Sequence, residues 1–340
     1  MAERVPITEE QLDTLRTEAA QKGRVQAIGI VPSSSPFPQP ASASYHGNAV
    51  LKPPTWTWQV PLYFFVGGGS GISAVIALVA HIVGNVGVTR AASWVGLVGG
   101  LISAPLLVAD LGRPARFLNM LRVFKPQSAM SMGAWTLVVF SSAVSLGVVC
   151  QELNVAGYGS YFLLGIEWLA QILAAVSGLI LASYTSVLLG VTAIPVWSEN
   201  RKLVSAVFLA GALGSATAVL ELLGFLIPAT QFMGIAASTA ELIIATVIEL
   251  RDRYVDRPLR EGRAGWLVRG GAVLAGPISL LLRIFSGHNP HLREIAAVCF
   301  AVGALVTRYG WIAAGRVSAL DPQALFQIQR RGEHTGETVN

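Results

Sequence analysis

The chain is poor in charge, cysteine and histidine, and each shortage excludes something. Only 13% of its 340 residues are charged, about half of what a soluble domain carries. With 53% hydrophobic residues and a mean hydropathy of +0.58, much of its surface is expected to meet lipid. Two cysteines, Cys150 and Cys299, with no CxxC pair offer neither a disulfide framework nor thiolates for zinc or an iron–sulfur cluster. Of the five histidines, His46 and His334 fall in polar tails and His288 and His291 in a short loop, leaving only His81 in an apolar run. A membrane dihaem cytochrome uses about four span histidines, two per iron, so bound haem is not expected. His288-x-x-His291 has no nearby third ligand, and no metal site is expected. Residues 1–55 contain no charged segment followed directly by a short apolar core, so no cleaved signal peptide is expected. The net charge of +5 sits mostly in a few loops and reads as topology and lipid contact, not nucleic-acid binding.

What the chain does have is apolar length. Eight stretches reach membrane-spanning length: 60–83, 93–109, 132–149, 161–189, 204–227, 232–250, 266–285 and 295–314. Continuous runs of about twenty residues argue for helices rather than barrel strands, and a helix satisfies its backbone without water. The expected fold class is therefore an all-α polytopic membrane protein with about eight transmembrane helices. Residues 1–55 read as a polar tail, with a short helix at 8–16 started by a Thr8/Gln11 capping box and a Pro/Ser-rich linker at 32–40. The bundle covers 56–315, and 316–340 is a polar C-terminal tail. Trp56, Trp58, Trp94, Trp197, Trp266 and Trp311 lie near span ends, where indoles favour the headgroup level. The run Gly67 to Gly71 reads first as a close-packing surface.

The turns after spans two, four and six hold most of the basic residues: Arg113, Arg116, Arg122, Lys125, Arg201, Lys202, Arg251, Arg253, Arg257, Arg260 and Arg263. The opposite turns hold only Arg90 and Arg293. The positive-inside rule makes the first set cytoplasmic, and both termini with it. Carboxylates within spans are costly and usually face the bundle interior or water. Asp110 and Glu249 end spans on the inner side, Glu241 lies near mid-span, and Glu167 and Glu221 lie towards the outer side. Acids at staggered depths can relay protons; each can also pair locally for structure. Asp110 and Arg113 can form a clasp across a turn, or line a polar pocket at the membrane surface. Tyr63, Met130, Ser131, Tyr184 and Trp197 are expected near the same face.

At these residues the chain resembles the NrfD/PsrC-like family, membrane subunits of polysulfide reductase-type molybdoenzyme complexes. The matching pieces are Trp58 to Gly68, Ala109 to Phe117 with its Asp-Leu-Gly-Arg-Pro turn, Lys125 to Trp135 with its Ser-x-Met-Ser stretch, and Ser183 to Trp197. The resemblance covers roughly residues 56–200; the last 140 residues match mainly in hydropathy. It implies a cofactor-free module that binds quinone or quinol as an exchangeable substrate near one membrane face. It also implies electron exchange with a docked four-cluster iron–sulfur subunit, wired to a molybdopterin or other catalytic oxidoreductase subunit. Carried onto this sequence, Asp110, Arg113, Tyr63 and Tyr184 become candidates for quinone binding. Asp110, Glu167, Glu221, Glu241 and Glu249 become candidates for proton transfer, and Arg116, Arg122 and Lys125 for partner docking. The subunit is not expected to be catalytic alone. In better-known relatives the iron–sulfur partner is periplasmic, whereas the charge bias here turns the motif-bearing face to the cytoplasm of an inner membrane. A secondary transporter and a passive anchor for a peripheral enzyme remain as alternatives from the hydropathy alone.

Overall fold

A computed structural model describes residues 51–111, 121–287 and 289–325, with Thr14 and Phe117 described singly. The expected helix at 8–16 (Thr14 apart), the linker at 32–40, Arg113, Arg116, His288 and the tail beyond 325 lie outside the described residues. Among the described residues, eight helices are long and apolar enough to cross a membrane: α1 Gln59–Ile82, α2 Val86–Ala109, α3 Ala129–Leu153, α4 Tyr161–Gly190, α5 Arg201–Leu222, α6 Pro228–Leu250, α7 Gly262–Phe285 and α8 Pro290–Ala319. No strand occurs among the described residues. The chain is an all-α, multi-pass membrane protein.

Most helices begin before the apolar run that marks them. α2 starts at Val86 rather than 93 because Asn85 caps it, its side chain accepting from Val88 N at 3.1 Å. Arg90, expected in a turn, is therefore inside α2, where it forms a two-pronged pair with Glu152 at 2.7 and 2.6 Å. Ser128 and Ser160 cap α3 and α4, and Pro228 and Pro290 open α6 and α8, the positions where a missing donor costs nothing. At the other end, α8 runs to Ala319, past the expected limit of 315. Hydropathy misses such turns because polar caps belong to the helix but not to its apolar run.

The helices form two four-membered rings. α1 packs on α2, α2 on α3, α3 on α4, and α4 returns to α1; α5 to α8 repeat the arrangement. The rings join where α1 meets α5 and α8, and where α4 meets α5. The glycine run of α1 makes a close approach in the first ring. A Cβ at Gly71 would strike the backbone of Gly178 in α4, and the converse also holds. Backbone contact of this kind supplies packing between helices that the apolar effect cannot drive in lipid.

All α1, α3, α5 and α7 begin on one face, here called the first face, which carries Asp110 and the turns at 121–128, 191–200 and 251–261. The second face carries shorter turns. All four use a left-handed glycine, Gly157 (φ 90°), Gly287 (φ 50°), Gly84 (φ 78°) and Gly224 (φ 93°), and the last two show its effect. The next residue then donates back to the helix, Asn85 N to Ala80 O and Phe225 N to Leu220 O, which closes the helix end tightly.

The tryptophans divide. Trp58, Trp94 and Trp266 are exposed as expected of a headgroup belt, but Trp197 and Trp311 are fully buried. Proximity to a span end does not distinguish an interfacial indole from one wedged between helices.

Candidate functional site

The first face is assembled around the segment that precedes α1. Trp56 stacks on Trp197, with ring centroids 5.3 Å apart and planes within 12°, and meets Phe64 edge-on. Arg316 of α8 donates to Trp56 O, and Tyr309 Oη donates to Trp58 O at 2.9 Å. Trp197 Nε1 donates to Trp311 O at 2.9 Å. Asp110, ending α2, accepts from both Thr57 N at 2.9 Å and Thr57 Oγ1 at 2.6 Å. Thus Asp110 holds the entry of α1, a role that a hydropathy plot cannot show; its expected partner Arg113 lies outside the described residues. Thr57 and Arg316 were not singled out from sequence, and Trp56 only as a headgroup-level indole, although Trp56 and Thr57 adjoin the Trp58 to Gly68 motif.

Below this latch sits a pair of phenols. Tyr63 is almost fully buried, and its hydroxyl has no hydrogen-bond partner. Tyr184 lies near it and reaches the α3–α4 side because Gly133 leaves the space its ring occupies. Tyr184 lines a lateral cleft of about 560 Å³ with Ser183, Pro126, Gln127, Met132 and Val187. That volume falls within the usual range for small-molecule sites, and so does the apolar lining with a few polar groups at one end. The adjacent turn is fixed by Ser131, whose Oγ accepts from Lys125 N at 3.1 Å. Arg122 and Lys125 are exposed on it, with exposed Val123 and Phe124 between them. Of the residues expected near this face, the structure brings Tyr63, Asp110, Met130, Ser131, Tyr184 and Trp197 to it. Trp197 is there as packing, buried behind Trp56.

The five acids occupy different settings. Glu221 is fully buried between Arg283 at 2.8 Å and Arg293 at 3.0 Å. Glu167 accepts from Asn154 Nδ2 at 2.5 Å and Gln171 Nε2 at 3.1 Å, and Gln171 also meets His81 Nδ1 at 2.6 Å. Glu249 is half-exposed and bidentate to Arg269. Asp110 holds Thr57. Glu241 differs: it is buried, with Oε1 unpartnered. The charge acting on it comes from Arg308, whose guanidinium donates to Phe208 O at 2.7 Å and lies 4.0 Å over the Phe208 ring. Arg283 and Arg308 were legible as cations inside apolar runs and went unread, because attention to acids alone leaves out their counter-ions.

The arginine-rich turn at 251–261 is also tied locally. Arg253 pairs with Asp256 at 3.0 Å and Glu199 at 3.6 Å, and Asn200 donates to buried Asp256 at 2.5 Å. These contacts join the 191–200 and 251–261 turns across the first face. Among the described residues no group of three or more His, Cys, Asp or Glu side chains could hold a metal ion.

Comparison with known families decides the identity. The sequence profile described as NrfD, polysulfide reductase, matches residues 45–321. The chain belongs to the NrfD/polysulfide reductase family. The match runs beyond the motif-rich 56–200 segment and through both rings. A search of curated proteins finds no match. As an NrfD-family protein the chain is a membrane subunit of a respiratory oxidoreductase complex.

Proposed function

We propose that this NrfD-family subunit exchanges electrons between membrane quinone or quinol and a docked four-cluster iron–sulfur subunit, itself wired to a molybdopterin or other catalytic oxidoreductase subunit. The supporting observation is the Tyr184 cleft: a lateral opening on the motif-bearing face, apolar along its walls, with a second, unpartnered phenol at Tyr63 behind it. A quinone needs a hydrogen-bonding end for its ring oxygens and an apolar route for its tail. Tyr184, Ser183 and Gln127 supply the first; Met132, Leu179, Ile180 and Val187 supply the second. The redox chemistry belongs to the quinone, and the protein's task is to bind, orient and handle protons.

Asp110 and Arg113 enter this proposal through the shared turn and through the hold of Asp110 on Thr57. Arg116, Arg122 and Lys125 are the docking candidates. The exposed Val123 and Phe124 give the described part of that turn the mixed basic and apolar character that suits a protein contact. For proton transfer Glu241 leads. Asp110, Glu167, Glu221 and Glu249 each hold a stated partner in the structure, whereas Glu241 has an oxygen free to exchange a proton. The proposed setting is the inner membrane, with the first face and both termini cytoplasmic by charge bias.

The test is affinity purification of the chain in mild detergent, with mass spectrometry, a visible spectrum and quinone extraction of the eluate. Co-purification of an iron–sulfur subunit with broad cluster absorbance, bound quinone and no haem Soret band is expected. A colourless, quinone-free chain that moves an ion or solute after reconstitution would replace this function with transport.

A further inference from the structure

A second cleft opens between α6 and α7, in the other ring. It has a volume of about 250 Å³ and a largely aliphatic lining, and it reaches inward to Glu241, Thr307 and Trp311. Two polar atoms of its lining residues are anomalous. Trp311 Nε1 and Glu241 Oε1 are both buried, and neither has a hydrogen-bond partner. Glu241 is nine residues from the first-face end of α6 and Trp311 eight from that of α8. At 1.5 Å per residue both lie roughly 12–14 Å below that face. At such a depth an unpaired donor and an unpaired carboxyl oxygen are costly, because lipid tails offer neither acceptor nor donor.

The backbone beside them departs from regular helix. α7 widens into a π turn over Leu274–Ile278, with Pro277 inside it, and Pro277 lines the cleft. Gly276 brings this turn against Leu242, next to Glu241. Widened turns of this kind are frequent at functional sites. At the first-face end, the Glu249–Arg269 pair closes the cleft with a neutralised ion pair.

We propose that this cleft is a second ligand site, taking an uncharged amphiphile of the quinone/quinol class, with Trp311 Nε1 donating to a ring oxygen and Glu241 bonding the ring's hydroxyl or carbonyl. The ligand class rests on the quinone function proposed above; the site does not. A phospholipid fits poorly: its acyl chain leaves both polar atoms unpaired, and its phosphodiester brings a second anion towards Glu241. A quinol ring is uncharged, carries an oxygen at each end, and has a tail that can leave between α6 and α7. Packed rings lie between the two helix rings: Phe208 beneath Arg308 contacts Phe64, which in turn contacts Tyr63.

The experiment is photolabelling of the intact purified complex in lipid nanodiscs with an azido-quinone, followed by peptide mapping. Label is expected in two places, on the α3–α4 cleft and on peptides containing 242–250 or 268–273. Trp311→Phe, which removes only the indole donor and its ring volume, is expected to lower the α6–α7 label about three- to tenfold, the worth of one hydrogen bond, while the α3–α4 label persists. Should Trp311→Phe prevent assembly, Glu241→Gln is read in the same way, with loss of α6–α7 label alone expected. Label confined to α3–α4, or a phospholipid probe that labels α6–α7 while the azido-quinone does not, would overturn the second site. Label confined to α6–α7 would retain it and remove the quinone site at Tyr184.

Discussion

The two helix rings share an architecture but not a chemistry. In α1–α4 the buried polar groups are mostly neutral: Tyr63, Ser70, Ser73, Gln151 and Gln171, with Glu167 held by two amides. In α5–α8 buried charges join neutral groups such as Ser238, Ser279 and Thr307: Glu221 lies between Arg283 and Arg293, and Glu241 and Arg308 are buried in the same ring. The difference sets different constraints on the two interiors. A ring lined with phenols and amides can receive an uncharged aromatic head without placing it beside a fixed charge. A ring crossed by carboxylate–guanidinium contacts must keep those charges matched.

This contrast can be broken from the charged side first. Glu221→Ala leaves two buried guanidinium groups without their carboxylate and is expected to cost about 3–5 kcal/mol, read as a large fall in thermal unfolding temperature in detergent. Glu167→Gln, the nearest counterpart in the other ring, swaps a carboxylate for a side chain that can no longer accept from both amides, and is expected to cost about 1–3 kcal/mol. Equal effects would mean that the two rings do not differ in the way described. In the neutral ring, Gly71→Ala forces a Cβ into the Gly178 backbone and is expected to cost about 1–3 kcal/mol by overpacking. That strain should appear as loosened α1–α4 packing, followed by cysteine cross-linking between those helices. The smallest effect is expected at Glu249→Gln. Its pair with Arg269 is half-exposed, and an exposed pair contributes at most about 1 kcal/mol; an unfolding temperature shift as large as that of Glu221→Ala would contradict the distinction.

Much of the fold was legible because its signal is cumulative. Eight long apolar runs locate eight helices, and family motifs at Trp58, Asp110, Ser131 and Tyr184 mark the face where they meet. The helix starts were hidden because capping residues such as Asn85 and Ser128 are polar. The ring arrangement was hidden because hydropathy carries no information on which helix touches which. At the site, Tyr63 and Tyr184 could be named from motifs, but the glycine at 133 that admits the Tyr184 ring shows its purpose only in three dimensions. Asp110 was read as a pocket or clasp residue, and its actual hydrogen bonds run to Thr57, across 53 residues of sequence. The buried arginines required a different question from the one that found the acids. An arginine inside an apolar run implies a partner, and asking for it pairs Glu221 with Arg283.

The central proposal is that electrons meet quinone in the α1–α4 ring at Tyr184. The most direct measurement is quinone-linked turnover of the intact complex carrying Tyr184→Phe, compared with turnover by an artificial acceptor that bypasses the membrane subunit. Loss of one hydrogen bond to the quinone is expected to lower the quinone-linked rate about tenfold while the bypass rate and subunit stoichiometry stay unchanged. An unaltered quinone-linked rate in a fully assembled complex would contradict a quinone site at Tyr184.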